Sequence, residues 1–151
     1  MAKVRNPNIV FNVVSERSRS TFLQKHFGHP LFDQFVFNIA DNIMVDYKGG
    51  YWDYVEASVT TDEEVIVPFV ELHSDKPIIL TNPFSGESFE FDSHLAGIII
   101  TMYAVNHFAE RRHAGGFSID KVGEVSWKLR DLAYDYAKQV NKGAETFSML
   151  D

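Results

Sequence analysis

Residues 51–70, YWDYVEASVTTDEEVIVPFV, combine two segments of alternating side chains with one polar turn. The first segment, Tyr51 to Ser58, is rich in aromatic and β-branched residues and alternates with a period of two, which predicts a β-strand. The polar residues TTDEE then form a turn, and Glu64 to Val70 is predicted as a second strand. Because Pro68 has no N–H group to donate to a sheet, the second strand should lie at an edge or contain a bulge.

Two helical segments precede this pair of strands. From Ser15 to Phe27 the apolar residues fall on one side and the charged residues largely on the other, which predicts an amphipathic helix that ends at Gly28. Pro30 suits the first turn of a second helix, whose apolar residues recur at intervals of three and four up to about Asn42.

Two short strands follow. Pro77 to Leu80 is predicted as the first, and Glu87 to Phe91 as the second, with Phe89 and Phe91 on one face. The residues NPFSG between them are typical of turns.

Two longer helices come next. Asp92 or Ser93 can cap the first, predicted from His94 to about His113, because both side chains accept hydrogen bonds from free amides at a helix start. The last helix is predicted at roughly Ile119 to Val140, and the residues after Gly143 are expected to fray.

The predicted order of elements is therefore ααββββαα. Helices and strands that are grouped rather than alternating indicate an α+β fold, here a small antiparallel sheet of about four short strands packed against four helices. The 151 residues fit one domain, 1–151, whose extreme termini are expected to fray. Thirteen phenylalanines suggest a core built largely from aromatic rings.

The composition excludes several classes of function. With no cysteine, the chain has no disulfides, thiolate zinc sites, iron–sulfur clusters or cysteine nucleophiles. The net charge of −7 disfavours contact with DNA, which is itself a dense polyanion, so no strong direct DNA binding is expected. The longest apolar run, Leu95 to Val105, is too short to cross a bilayer, and the N-terminal segment lacks the apolar core of a signal peptide. We therefore expect a cytoplasmic protein that does not enter a membrane.

The segment YKGGYW, residues 47–52, invites comparison with a phosphate-binding loop. Such a loop needs glycines followed by a helix, whereas Gly49 and Gly50 precede a predicted strand, and no lysine or hydroxyl follows them at the required spacing. The motif instead predicts a corner between a helix and a strand. There one of the glycines adopts a positive φ, and the bare backbone lets Tyr51 and Trp52 pack closely.

No motif indicates catalysis or a bound metal, so we expect a protein without enzymatic activity or cofactor. His107, Glu110 and His113 lie on one predicted helix, but the two histidines differ by about 120° around its axis and do not converge on a metal. Asp53 and Glu56 point to opposite faces of their strand, which argues against joint acid–base work.

Two other functions stay open. A small hydrolase or metal-dependent enzyme of unknown substrate would use His94, His107 and nearby acids. A nucleic-acid-binding module would use a local basic patch, for which Arg17 and Arg19 with Lys25, and Arg111 with Arg112, are the candidates. An ordinary solvated helix face is the simpler interpretation of both patches, since neither is interleaved with aromatic residues.

Three segments occur in a fixed order between about Asp46 and Ala137: YKGGYWDY, LTNPFSGESFEFDSHLAGIIITMYAVNHFAE and WKLRDLAYDYA. In order and in spacing they resemble the antirestriction protein family ArdB/KlcA. The family pattern combines Tyr-x-Gly-Gly-Tyr-Trp and an acidic residue with an Asn-Pro turn, an Ala-Gly-Ile helix start and Leu-Arg-Asp. The matching positions are Tyr47, Gly49, Gly50, Tyr51, Trp52, Asp53, Asn82, Pro83, Ala96, Gly97, Ile98, Leu129, Arg130 and Asp131.

The resemblance implies a protein carried by plasmids, phages or other mobile elements, which relieves the host's type I restriction of incoming DNA. It would inhibit through protein contact and without cofactor, as a monomer or weak homo-oligomer. Its partner would be a type I restriction enzyme or a protein acting with it. The residues nominated for partner contact, or as part of the motif, are Tyr47, Gly49, Gly50, Tyr51, Trp52, Asp53, Tyr54, Arg130 and Asp131.

Two mechanisms of inhibition are open. In DNA mimicry, seven net charges match only about 12 Å of a duplex that carries one charge per about 1.7 Å. A local acidic patch at Asp62 to Glu64 could still act in this way, although a solvated turn is the simpler interpretation. In the other mechanism, Trp52, Asp53 and Tyr54 straddle the first strand, so that one aromatic face stays exposed and anchors a partner.

Overall fold

The computed structural model describes residues 6–115 and 119–151, and its side-chain description leaves out residues 110–115 and 119–122. The predicted α+β class is confirmed, and a first strand and a last helix are added to the predicted order. Within the part of the chain so described, the helices lack the combination of length and hydropathy that crossing a bilayer requires. In chain order the elements are β1 (Asn8–Val13), a 3₁₀ turn (Glu16–Ser18), α1 (Arg19–Phe27), α2 (Asp33–Ile43), β2 (Trp52–Thr60), β3 (Glu64–Leu72), β4 (Ile78–Thr81), β5 (Ser88–Phe91), α3 (Ser93–Gly115), α4 (Ile119–Gln139) and α5 (Gly143–Leu150).

The described strands form two antiparallel sheets. In the first sheet β2 lies between β1 and β3, and in the second β4 pairs with β5. The four predicted strands are all present, and β1 is an additional strand that the sequence analysis does not predict. It runs antiparallel to β2, with Asn8 opposite Thr60 and Val13 opposite Val55. Because its side chains are half-buried or exposed and its partner is distant in the chain, β1 lacks a clear local signal.

The central strand β2 is buried on both faces. Trp52 and Tyr54 point to one side, and each is only 5% exposed. Their rings contact Phe37 of α2 and Phe22 of α1, at centroid distances of 5.4 and 5.9 Å respectively. Both helices that precede β2 in the chain therefore cover this face.

The opposite face of the sheet meets α3 and α4. Phe11 of β1 packs edge to face against Phe69 of β3, with ring centroids 5.8 Å apart. The same ring stacks on His94 of α3 at 3.9 Å and meets Tyr136 of α4 at 5.1 Å. Val55, which points to this side, is fully buried. The sheet thus lies between two pairs of helices.

Phenylalanine rings join α1, α2 and α3, as the composition predicts. Phe27 at the end of α1 stacks on Phe32 with centroids 4.0 Å apart. Phe108 of α3 packs edge to face against Phe32 and Phe35, at 5.5 and 5.2 Å. Buried rings in such arrangements contribute large apolar areas to the core.

The helix α3 covers the free edge of β3. The Thr101 hydroxyl accepts a hydrogen bond from the Val70 amide at 3.0 Å and donates one to the Val70 carbonyl at 3.2 Å. It therefore satisfies backbone groups that an edge strand would leave unpaired. One turn earlier, Gly97 lies so close to β3 that a Cβ there would be 2.5 Å from the Glu71 Cβ. The edge position predicted from Pro68 is confirmed.

The segment after Gly143 forms α5, so the prediction that it frays is wrong. Met149 is buried in the core, and its carbonyl accepts a hydrogen bond from the Tyr103 hydroxyl at 2.5 Å. Arg130 Nη2 donates to Asp151 Oδ1 at 2.6 Å, which fastens the end of α5 to α4. These partners are remote in the chain, so the local sequence of α5 does not reveal them.

Replacing Gly97 by alanine should destabilise the protein, because the new methyl group would also lie 2.9 Å from the Glu71 Cα, which is backbone and cannot rotate away. Overpacking of this kind costs about 1–3 kcal/mol of unfolding free energy. Urea denaturation of the Gly97→Ala variant measures the loss.

Gly123→Ala is the matched control. Gly123 is exposed in α4, and an added Cβ there would meet nothing within 4 Å. Alanine inside an exposed helix should be neutral or stabilise by up to about 1 kcal/mol. Equal effects of the two substitutions would contradict the close packing of α3 on β3.

Candidate functional site at the start of the central strand

The glycine motif lies in the loop between α2 and β2, where the chain turns sharply. Gly49 and Gly50 have φ angles of 84° and 150°, which glycine adopts easily and other residues rarely do. A Cβ on Gly50 would lie 2.7 Å from the Leu72 Cδ1 of β3, so the bare backbone also permits close packing. The corner predicted from this motif is confirmed, and the element that follows it is a strand.

Trp52 and Tyr54 are core residues. The Trp52 Nε1 donates a hydrogen bond to the Tyr47 hydroxyl at 3.0 Å, and the Tyr54 hydroxyl donates to Asp33 Oδ2 at 2.7 Å. Burial, reinforced by the hydrogen bond to Asp33, raises the pKa of Tyr54 and keeps its hydroxyl protonated as a donor. The hypothesis that these two rings form an exposed anchor is therefore wrong, because both are enclosed by helices.

Tyr51 is the ring of the motif that stays exposed, with 51% of its surface open to solvent. Its hydroxyl donates to Glu16 Oε1 and accepts from Arg19 Nη2, both at 2.7 Å. The hydrogen bond to Glu16 raises the pKa of Tyr51. Arg19 also donates to the Trp52 carbonyl at 3.1 Å, and its guanidinium lies 4.5 Å from the centre of the Tyr54 ring. These contacts hold Tyr51 in one orientation at the surface.

Arg19 is the residue of this site that sequence reasoning missed, since it was assigned to a solvated face or a basic patch. Its partner Tyr51 lies 32 positions further along the chain, so the helical spacing around Arg19 gives no sign of the contact. Of the other two residues of that patch, Lys25 lies 3.9 Å from the Glu56 carboxylate. The patch is thus partly neutralised by the protein's own groups.

Two carboxylates lie side by side on the other face of β2 and β3. Asp53 and Glu71 are direct cross-strand neighbours. Asp53 Oδ2 is 3.0 Å from His73 Nδ1, and Glu71 Oε2 is 2.8 Å from His94 Nδ1. Like charges at opposed sheet positions are destabilising by themselves, so each histidine, when protonated, offsets part of that repulsion.

Both histidines have a pKa above the ordinary value. For the exposed His73, the hydrogen bond to Asp53 raises the pKa. For His94, burial lowers the pKa, but the hydrogen bond to Glu71 and the charges of Glu71 and Asp92 together outweigh that effect. Each of these histidines therefore holds its proton to a higher pH than a histidine with the ordinary pKa does.

The Leu-Arg-Asp motif lies on α4 and is divided between core and surface. Leu129 is fully buried, whereas Asp131 is exposed. Arg130 binds Asp151, and its guanidinium lies 5.5 Å from the centre of the Tyr134 ring. Burial raises the pKa of Tyr134 to about 12, assisted by its hydrogen bond to Asp151. Arg130 thus fastens α5 and belongs to a different part of the surface from Tyr51.

The Asn-Pro turn between β4 and β5 is shaped by Asn82. Its Oδ1 accepts hydrogen bonds from the amides of Phe84 and Ser85, at 2.8 and 3.3 Å. Its Nδ2 donates to the Ser148 carbonyl of α5 at 2.8 Å. Phe84 is 95% exposed at this turn, which sequence reasoning overlooked although a phenylalanine between turn-forming residues was the available signal.

Among the described residues, histidines and acids form no group of three or more that could hold a metal ion. His94 and His107 are thirteen positions apart on α3 (107 − 94), which separates them by about 20 Å along the helix axis. The structure therefore does not bring them together. Glu110 and His113 lie outside the residues whose side chains are described.

The acidic turn between β2 and β3 is exposed at Asp62 and Glu63. Glu64, the third acid of the run, accepts a hydrogen bond from Ser58 Oγ at 2.6 Å. The Glu64 carboxylate thus belongs to the hairpin itself, which agrees with the simpler interpretation that these acids form an ordinary turn.

Comparison with known proteins gives a match at the level of the fold. No family profile and no curated protein sequence matches the chain. A solved structure of the KlcA and ArdB proteins matches with a TM-score of 0.67 at 18% sequence identity, covering 99% of this chain and 100% of that one. Those proteins are described as having a novel fold and antirestriction activity against type I DNA restriction systems in vivo but not in vitro. The fold implied by the sequence resemblance is confirmed.

Trp52→Ala should lower the free energy of unfolding by about 3–5 kcal/mol, the usual cost of truncating a buried large aromatic residue. Trp127→Ala is the matched control, because Trp127 is 53% exposed on α4 and its truncation should change stability by no more than about 0.5 kcal/mol. Thermal melting compares the two variants. A Trp52→Ala protein that melts like the wild type would show that the ring is not part of the core.

His94→Gln should remove a contribution to stability that depends on pH. The folded-state pKa of His94 lies above the unfolded value of about 6.5, so protonated His94 stabilises the fold fully below that pH. The contribution is lost as the pH rises through the folded-state pKa. The wild type should therefore exceed the variant in unfolding free energy by more at about pH 5.5 than at about pH 8.5.

Urea denaturation at the two pH values tests this difference. Other titrating groups, including His26, are present in both proteins and largely cancel in the comparison. A difference that stays constant with pH would mean that His94 contributes by packing against Phe11 and not through its charge.

Proposed function

We propose that this protein relieves type I restriction of incoming DNA by contacting the restriction enzyme or a protein that acts with it. The observation that carries the proposal is the likeness of fold to KlcA and ArdB, which extends over essentially the whole of both chains. The three sequence segments that resemble that family also support the proposal, since they occur in the order that the resemblance implies.

The structural roles of the motif residues also support it. Gly50 permits the corner before β2, and Gly97 sets the distance between α3 and β3. Asn82 holds the turn between β4 and β5. These residues preserve the shape of the molecule, and a protein that acts by occupying a partner's surface depends on its shape.

We infer that the protein acts by binding and breaks no bond itself. The histidine–carboxylate pairs of His73 with Asp53 and of His94 with Glu71 have a structural role, because they offset the repulsion between two carboxylates that are cross-strand neighbours. Phe11 stacks on the His94 ring with centroids 3.9 Å apart and covers one face of it.

Activity in vivo but not in vitro, as described for KlcA and ArdB, suggests what kind of partner is needed. We propose that this protein likewise requires a component, or a working state of the restriction enzyme, that is present in cells and missing from a simple cleavage reaction. An enzyme engaged on DNA and moving along it is one such state.

Expression of this protein in cells with a type I restriction system should raise the plating of unmodified phage towards the level on non-restricting cells. The reason is that the bound partner can no longer complete cleavage. The efficiency of plating, with and without the protein, measures the effect. Purified type I enzyme should cleave unmodified DNA at the same rate whether or not the protein is added.

Cells with a type II restriction enzyme provide the control, since such an enzyme cuts at its site without translocating. Plating on these cells should not change. An unchanged plating on type I cells that contain the folded protein would contradict the proposal. Equal relief of type I and type II restriction would instead indicate a general effect on the DNA.

A further inference from the structure

A groove of about 810 Å³ lies between the β4–β5 turn, α3 and α5. It is distinct from the surface around Tyr51 and from the two histidine pairs. Exposed apolar surfaces of this kind on a soluble protein commonly mark interaction sites. The apolar residues that line it include Ile39, Phe84, Tyr103, Phe147, Met149 and Leu150.

Phe84 is presented at this groove on a turn that is held in one shape. The ring is 95% exposed, yet the backbone beneath it is fixed by the two hydrogen bonds that Asn82 Oδ1 accepts. The Gly86 amide also donates to the Asn82 carbonyl at 2.8 Å and closes the turn. A rigidly held aromatic ring loses little conformational freedom when a partner covers it.

Phe147 provides a second exposed ring, at 60%, on α5. The hydrogen bond from Asn82 Nδ2 to the Ser148 carbonyl ties the turn directly to α5. The Tyr103 hydroxyl ties α5 to α3 through the Met149 carbonyl. The two rings therefore belong to one connected surface, and aromatic anchors in such surfaces carry much of the binding energy of protein interfaces.

The charges around the groove indicate the chemistry of its partner. Among the described residues that line it, lysine and arginine are absent, the acidic residues are Glu87 and Asp151, and His107 also lines the groove. Asp151 is paired with Arg130, whereas Glu87 is exposed. The net charge of −7 adds a negative field around the whole molecule. A segment with apolar side chains and flanking basic residues would match this surface.

We propose that the groove bordered by Phe84 and Phe147 is the docking site for such a segment of the restriction enzyme, or of a protein acting with it. The assignment rests on the proposed function. Proteins that handle DNA carry lysine-rich and arginine-rich surfaces to contact phosphates, so a segment of this composition is expected in the partner. A basic segment bound in this groove would also be unable to contact DNA.

A second copy of this chain fits the groove less well. In a symmetric dimer the same patch meets itself, so Glu87 of each copy would approach acidic groups of the other. Two chains that each carry a net charge of −7 also repel one another. The groove therefore favours a partner of opposite charge.

The direct test uses a synthetic amphipathic peptide with leucine on one face and lysine on the other, and the same peptide with glutamate in place of lysine. The wild-type protein should bind the lysine peptide and not the glutamate peptide, as measured by fluorescence anisotropy of the labelled peptide. Phe84→Ser combined with Phe147→Ser should weaken binding at least about tenfold. Glu87→Gln should weaken it to a smaller extent.

The matched control is Trp127→Ser, which removes an exposed ring outside the groove and should leave peptide binding unchanged. Both exposed phenylalanines can be replaced without opening the core, so the double variant should melt like the wild type. Failure to bind the lysine peptide, or equal binding by the double variant, would overturn the proposal. So would a wild-type dimer in sedimentation equilibrium that the double substitution dissociates, since the occupant would then be a second copy.

The plating assay separates this proposal from the function on which it rests. If the wild type relieves type I restriction and the double variant does not, the groove is the contact site in cells. If both relieve it equally, the groove proposal fails and the proposed function stands. If the wild type gives no relief, the proposed function fails, whatever the peptide experiment shows.

Discussion

The burial of β2 on both faces is the constraint on which the rest of the structure depends. A strand with Trp52 and Tyr54 on one side and Val55 on the other cannot leave either side to solvent, so helices must cover both. The helices α1 and α2 cover the first side, and α3 and α4 meet the second. Among the described strands of this sheet, β3 is an edge strand directly beside β2, and Thr101 of α3 satisfies the Val70 backbone groups on its open side.

This constraint explains why neighbouring residues of one motif have different roles. Trp52 points into the helix-covered face and is core, whereas Tyr51, just before the strand begins, remains at the surface. The hydrogen bonds that the Tyr51 hydroxyl makes with Arg19 and Glu16 then hold the exposed ring in place without burying it. A motif of this kind therefore serves mainly the architecture, and the groups available for contact are the exposed ones that the architecture holds in place.

Local patterns in the sequence predict those features of the fold that depend on local interactions. Gly28 ends α1, and Asp92 caps α3 by accepting the Leu95 amide at 2.8 Å, both as the residue types indicate. The alternation in β2 and the corner before it are equally local. The pairing of β1, the docking of α5 and the contact between Glu71 and His94 join parts of the chain that are distant in sequence, so no spacing rule could predict them.

The connection between the core and the surface matters for a protein that acts, as proposed, by occupying the surface of a partner. Such a protein gains affinity when its contact groups are already ordered before binding, because ordering them on contact costs free energy. Asn82 provides this order at one place, since the same side chain shapes the turn beneath Phe84 and holds the Ser148 carbonyl of α5. The surface that presents the exposed rings is thus an extension of the packed core. Substitutions that loosen α5 would be expected to weaken the proposed partner binding even where they leave both phenylalanines in place.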